Sequence, residues 1–569
     1  MNIFRKSAWM LLSAFALSGC EFIEPDNLTF IEDEATYNNI NRVRSVLNNV
    51  YSGLPNGYND IGTSWLAAAC DEAEEVNGMQ PIQNFNIGNI TPYANPDDVW
   101  SKHYKSIRNA QVFIQSADTI TWQALEFSNP PEYIRRRALT RQYVAEAKFL
   151  EAFFYFELIK RYGGVPIVDT VIDKDTDWVS SYPRESFAAC VDYIVARCDE
   201  AAEILPPDYD TGNWGRATRG AALALKARTL LYAASDLYNQ SGNADPLRGY
   251  VGGDRHERWG AAARANKAVL DLNKYSFHAN YQGLFLLAAA QSSEVIFERR
   301  YGTSNTFERQ NTAVGFQQGT TGTCPTQNLV DAYEHLDNGE FDWNNPAHAA
   351  NPYNRRDSRL ARTVVTNGSI FGKEKQTVEL WRGGVNGLPR DRASKTGYYL
   401  RKYMNEDLDL RLNEVARKQW VFFRLAEIHL NYAEAMNRAF GPGGVGDGTL
   451  TTTALQAINA VRTRAAVNMP AIAAGLSQQE FENKVKRERQ VELAFEGHRY
   501  WDVRRWMMAD QAIGGTIRGV EITRNSDNTF TYSPRTVETR TWNERLYYYP
   551  IPYAEINKAN GVIVQNKDW

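Results

Sequence analysis

The sequence predicts a mainly α protein in which stacked helix pairs carry an irregular, loop-rich subdomain with short strands. Three observations lead there. Residues 141–162 read as one long helix whose surface is apolar on most sides. A pattern of Leu, Leu, Tyr and Ala recurs at equal spacing in two distant helical segments. Two long stretches, 275–418 and 514–569, are instead rich in Gly, Asn, Thr and aromatic residues.

In the first segment, RQYVAEAKFLEAFFYFELIKRYGGVPIVD, Glu146, Glu157, Lys160 and Arg161 share one stripe at about 100° per residue. Most of the rest is Ala, Leu or Phe, interrupted by Lys148 and Glu151. A surface helix has a single apolar stripe. A wider one predicts neighbours on more than one side, with Ala145, Ala147 and Ala152 admitting close approach and Phe149, Phe153, Phe154 and Phe156 filling space. Gly163-Gly164 stops the helix.

Before it, the chain opens with Arg5 and Lys6, an apolar run at 8–17 too short to span a membrane, and Leu17-Ser18-Gly19-Cys20. This order resembles a bacterial lipoprotein signal, which makes 1–19 a signal peptide, Cys20 the lipidated residue and 20–31 an acidic tether. Helices are expected at 32–51 and 97–115, separated by a Gly-rich loop at 54–95. After the long helix, 186–205 is helical and stops at Pro206-Pro207. Leu225, Leu230, Tyr232 and Ala233 recur as Leu425, Leu430, Tyr432 and Ala433, which predicts helices over 220–238 and 419–440. Their partners would be 258–272 and 450–466. Helix pairs repeating at about 34 residues are the tetratricopeptide signature, and such units must stack to bury their faces. The organisation is therefore an N-terminal helical region (32–274), an irregular insertion (275–418), a C-terminal helical region (419–513) and an irregular end (514–569). Strands are expected at 294–298, 398–403 and 546–551.

Composition excludes several classes. The 569 residues carry 63 Lys+Arg against 67 Asp+Glu, a net charge of −4, so nothing global argues for nucleic acid. The alternating charges of 487–506, with Glu488, Glu492, Glu496 and Arg499 at helix-face spacing, read as framework. Five scattered cysteines (20, 70, 190, 198, 324) form no disulfide framework and no zinc pair. The histidines show no HExxH, and Gly441–Gly448 follows a helix and lacks a phosphate-binding lysine.

Several stretches together resemble the SusD/RagB family of outer-membrane nutrient-binding lipoproteins: AEAKFLEAFFYFELIKRYGGVPIV at 145–168, GAALALKARTLLY at 220–232, PTQNLVDAY at 325–333, FFRLAEIHLNYAEA at 422–435, RERQVELAFEGHRYWDVRRW at 487–506 and YPIPYAEI at 549–556. The resemblance implies four tetratricopeptide-like helix pairs and a surface-exposed, lipid-anchored location on the outer membrane. It also implies a SusC-like TonB-dependent transporter as partner, over which the protein sits as a lid, and most often an oligosaccharide ligand.

Glycan binding needs flat aromatic faces for the sugar ring and planar polar groups for its hydroxyls. Loop residues of both kinds are Asp60, Trp65, Asp71 and Tyr93 in the first loop, and Tyr281, Trp343, Trp381 with Arg382, and Tyr398 in the insertion; Cys324 precedes the Pro325 motif. These are the glycan-binding candidates. No catalytic residue is readable, so the protein is expected not to be an enzyme. No cofactor is expected; the acidic cluster Asp71, Glu72, Glu74 and Glu75 reads as a solvated face, with structural calcium its alternative. Peptide or another nutrient is the alternative cargo, and a surface glycosidase the third reading.

Overall fold

The computed structural model describes residues 37–172, 181–286, 292–337 and 339–569. The signal segment and Cys20 lie outside them. The long helix, α3 (Pro130–Tyr162), follows α1 (Ile40–Tyr51) and α2 (Trp100–Asp118) and precedes α4 (Phe187–Ile204), α5 (Arg219–Ala234) and α6 (Arg255–Leu270). The C-terminal half adds α7 (Leu425–Phe440), α8 (Ala454–Arg462), α9 (Gln478–Glu492) and α10 (Arg499–Arg505).

Local chemistry explains the boundaries. Asn129 caps α3 by accepting the Glu132 N–H, Pro130 and Pro131 occupy the first turn, and Lys160 and Arg161 face the negative end of the helix dipole. The helix ends at Gly163, whose φ of 76° suits glycine alone and whose missing Cβ leaves room for the Leu247 carbonyl oxygen. Gly163→Ala is expected to cost about 2 kcal/mol or more, read from the urea midpoint, because left-handed strain and overlap with backbone add.

The wide apolar face of α3 has its predicted consequence: α3 packs against α1, α2 and α4. The stack then runs on, α4 against α5, α5 against α6, α6 against α7, and α7 against both α8 and α9. The insertion thus leaves the chain between α6 and α7, two helices that still pack on each other. The polar stripe of α3 is buried rather than wet. Glu146 accepts from Tyr51 Oη (2.6 Å) and Tyr209 Oη (2.9 Å) and pairs with Arg216, while Glu157 pairs with Lys160 and with Arg161, which holds Asp97.

Three expectations are corrected. The helix expected from 419 begins at Leu425; Ala416–Arg424 is instead strand β4, antiparallel to β2 (Val295–Ser304). Its run Trp420-Val421-Phe422-Phe423 is buried on both faces, which suits a strand. Residues 546–551 form no strand: Glu544–Tyr547 is a short 3₁₀ turn, and the Tyr549 N–H bonds the Arg161 carbonyl at the end of α3. The C-terminal segment instead contributes the hairpin β5 (Thr516–Arg524) and β6 (Phe530–Thr539). Finally, the charges of 487–506 do not pair mainly along their own helix. Glu488 and Glu492 bind Arg359, Glu492 and Glu496 bind Arg424, and Arg499 binds Asp71.

Candidate functional site

The loop between α1 and α2 meets the insertion through a short antiparallel pair, β1 (Ala73–Glu75) with β3 (Thr323–Pro325). The Val76 N–H continues it by bonding the Gly322 carbonyl. Behind this seam lies an aromatic core in which Trp65 stacks on Phe307 at 5.4 Å and meets Tyr403 and Trp420 edge-on. Gly57 has φ of 78° and a Cβ there would overlap the Trp420 ring, so the loop can lie flat on this core. The core is a rigid base for the loop tips in front of it.

Those tips enclose an open hollow of about 730 Å³, bordered by Thr63, residues 75–80, Gln310, residues 320–322, residues 388–393 and Lys395. Its three amides are arranged in one sense. Asn77 uses its side-chain oxygen to accept the Met79 N–H (3.1 Å), Gln80 uses its own to accept the Thr63 N–H (3.2 Å), and Gln310 accepts from the Asn59 side chain. Each amide NH2 is left without a partner among the described residues, as is the exposed guanidinium of Arg392 beside exposed Asp391. Arg390 is steadied by the Val385 carbonyl at 2.9 Å. Lys395 pairs with Glu74 at 3.0 Å; burial pushes the Glu74 carboxyl up to about 7 against the pull of that ammonium. The rim therefore presents free planar donors on a preorganised backbone, suited to a neutral, hydroxyl-rich ligand.

None of the ten glycan-binding candidates borders this hollow. Trp65, Tyr281, Cys324 and Tyr398 are sealed from water and serve as core. Trp65 fills the aromatic base; the Tyr281 hydroxyl donates to the Glu492 carbonyl (2.9 Å); that of Tyr398 donates to Gln327 (2.5 Å); Cys324 lies in β3. Asp71 is buried in a two-pronged pair with Arg499 at 2.7 and 2.9 Å, and exposed Asp60 accepts the Gly57 N–H. Trp343 and Trp381 are half-buried, the first donating to Asp331, the second between Phe530 and Arg524; Arg382 pairs with Glu521 on the surface. Tyr93 stands exposed elsewhere.

The acidic cluster is a further correction, since Asp71, Glu72, Glu74 and Glu75 are all buried. Each has its own partner: Arg499, the Phe495 N–H, Lys395 and the Thr323 hydroxyl. Among the described residues no three metal-ligating side chains converge. The hollow's own residues carried a weak sequence signal, charged and amide side chains at the Gly- and Pro-rich tips VNGMQP (76–81) and GLPRDRAS (387–394).

Fold and hollow together define a class: a helical-repeat scaffold whose loops present a polar recess. The comparisons make that specific. A sequence model of the SusD family matches residues 290–569, and one described as "Starch-binding associating with outer membrane" matches residues 26–231. A SusD-like protein of Formosa agariphila is 22% identical over 529 residues, covering 88% of each chain. A SusD-like protein of Bacteroides fragilis superposes with a TM-score of 0.76 at 25% identity, covering 95% of this chain and 99% of the other. A SusD-like carbohydrate-binding protein of the same species gives a TM-score of 0.74 at 24% identity, with 92% and 98% covered. The chain belongs to the SusD/RagB family.

Proposed function

We propose that the protein captures oligosaccharides at the hollow between the first loop and the insertion, without breaking bonds. The observation that carries this reading is the set of unpaired planar donors, Asn77, Gln80, Gln310 and Arg392, on one rim. A charged ligand would call for a stronger excess of one sign than Arg390, Arg392 and Lys395 set against Glu75 and Asp391. The family's association with starch and the outer membrane supports the same reading. In it, Cys20 carries the lipid that holds the protein on the cell surface, and a SusC-like transporter receives the sugar. Ligand trapped between the two proteins favours the closed state by its differential affinity for it.

Titration calorimetry against a panel of soluble oligosaccharides tests this. Asn77→Ala and Arg392→Ala are each expected to weaken the best binder about tenfold, the loss of one or two hydrogen bonds to a buried hydroxyl. Unchanged affinity in both variants, or binding of peptides in place of any glycan, would overturn it. Absence of released reducing ends from the bound glycan separates capture from hydrolysis. Co-purification with the transporter tests the handover.

A further inference from the structure

We infer that Tyr93 and Tyr553 form a second carbohydrate platform, one that takes the apolar face of a pyranose ring while Asn95 and Asp98 take its hydroxyls. The inference rests on the glycan-capture reading but concerns a different place, since no residue borders both hollows.

The two rings lie 4.6 Å apart, inclined at 32°, and are 75% and 47% exposed. They belong to segments more than four hundred residues apart in the chain, joined where the Tyr553 N–H bonds the Pro92 carbonyl at 2.9 Å. Tyr93 sits in a tight turn in which Thr91 and Ala94 exchange both backbone hydrogen bonds at 3.1 Å, and the Thr91 hydroxyl accepts the Tyr93 and Ala94 N–H groups. Pro550 and Pro552 stiffen the other side. Most of the cost of ordering the backbone that carries the rings is thus met in the free protein.

Beside them is a hollow of about 430 Å³ bordered also by Asn95 and Asp98. The Asn95 oxygen accepts the Asp97 N–H, while its Nδ2 is shielded from water with no hydrogen-bond partner. A donor left so is costly, and a turn of the amide toward the hollow lets a ligand hydroxyl satisfy it. One Asp98 oxygen accepts from Tyr162 Oη (2.7 Å) and the Trp100 N–H (3.0 Å), which fixes the carboxylate; the other has no partner among the described residues. An aromatic face flanked by one unsatisfied amide donor and one fixed carboxylate acceptor matches the C–H face and hydroxyl edge of a sugar ring.

The test uses the purified full chain with maltohexaose, cellohexaose, xylohexaose and mannohexaose. Calorimetry gives stoichiometry, saturation-transfer NMR reports the protons held against rings, and pentaproline serves as the peptide control. The Tyr93→Ala/Tyr553→Ala variant is expected to lose one binding event of two and at least about tenfold of that site's affinity, with Tyr93→Phe restoring it. Asn77→Ala/Arg392→Ala is expected to abolish only the other event. Circular dichroism confirms that both variants fold. Retention of both events by the tyrosine variant, binding of pentaproline to these rings in place of sugar, or no sugar binding anywhere overturns the inference. Loss confined to the tyrosine variant, with the hollow variant unaffected, upholds it and removes the hollow reading instead.

Discussion

Arg424→Ala is expected to destabilise the protein by about 3–5 kcal/mol, the cost of leaving buried carboxylates without their cation. Arg424 is 1% exposed and touches Glu294 at 2.8 Å, Glu492 at 2.6 Å and Glu496 at 2.6 Å. Arg359 and Arg464 complete the cage around Glu492. Burial alone would push the Glu492 carboxyl up; the guanidinium groups of Arg464, Arg424 and Arg359 outweigh it and hold the group well below the usual carboxylate range. A carboxyl depressed in the folded state contributes stability above its unfolded pKa of about 4.5, lost as pH falls through the folded value. Removing Arg424 should therefore also move acid unfolding to higher pH. Urea unfolding across pH, followed by circular dichroism, checks both; a loss below about 1 kcal/mol would show that the remaining arginines suffice.

The second large effect has the opposite sign. Glu72 is 1% exposed, and its partner is the Phe495 N–H at 2.9 Å. Burial, together with nearby Asp71, raises its carboxyl to about 8, although the Phe495 N–H and the charges of Arg499 and Lys402 act to lower it. Below about pH 4.5 both folded and unfolded chains hold this proton, and the group contributes nothing to the pH dependence. Between there and about 8 the unfolded chain releases it while the folded chain keeps it, so stability falls as pH rises. Glu72→Gln keeps the acceptor and cannot ionise. It is expected to match the parent near pH 5 and to exceed it by about 4 kcal/mol at pH 9. Parallel stability curves for the two proteins would refute this.

Both effects sit in residues whose chemistry the one-dimensional pattern disguises. In 487–506, spacings of four invite pairing along a helix, but Glu488, Glu492 and Glu496 turn inward to Arg359, Lys402 and Arg424, 68 or more residues away, and to the nearer Arg462 and Arg464. The run Asp71–Glu75 has the charge of a wet surface, yet it is buried, residues 73–75 by β-pairing with 323–325 and Asp71 and Glu72 against Arg499 and the Phe495 N–H. The long helix was legible because its apolar width is a local property; its caps, its stop and its role inside a stack follow from neighbouring residues. Trp65, Tyr281 and Tyr398 were misplaced for the converse reason. An aromatic in a loop has no periodicity to tell ligand face from core, and here the loops fold onto one another.

The sequence by itself determined that helices dominate, that they repeat and stack, that an irregular insertion interrupts them, and which family the chain resembles. Each is written in periodicity, punctuation and the order of motifs. Only the tertiary structure decided which side chains border the two hollows, because the first is made by loop tips from separate parts of the chain and the second brings together Tyr93 and Tyr553 from near its two ends. Which side chains remain free there depends on what every neighbour has already claimed.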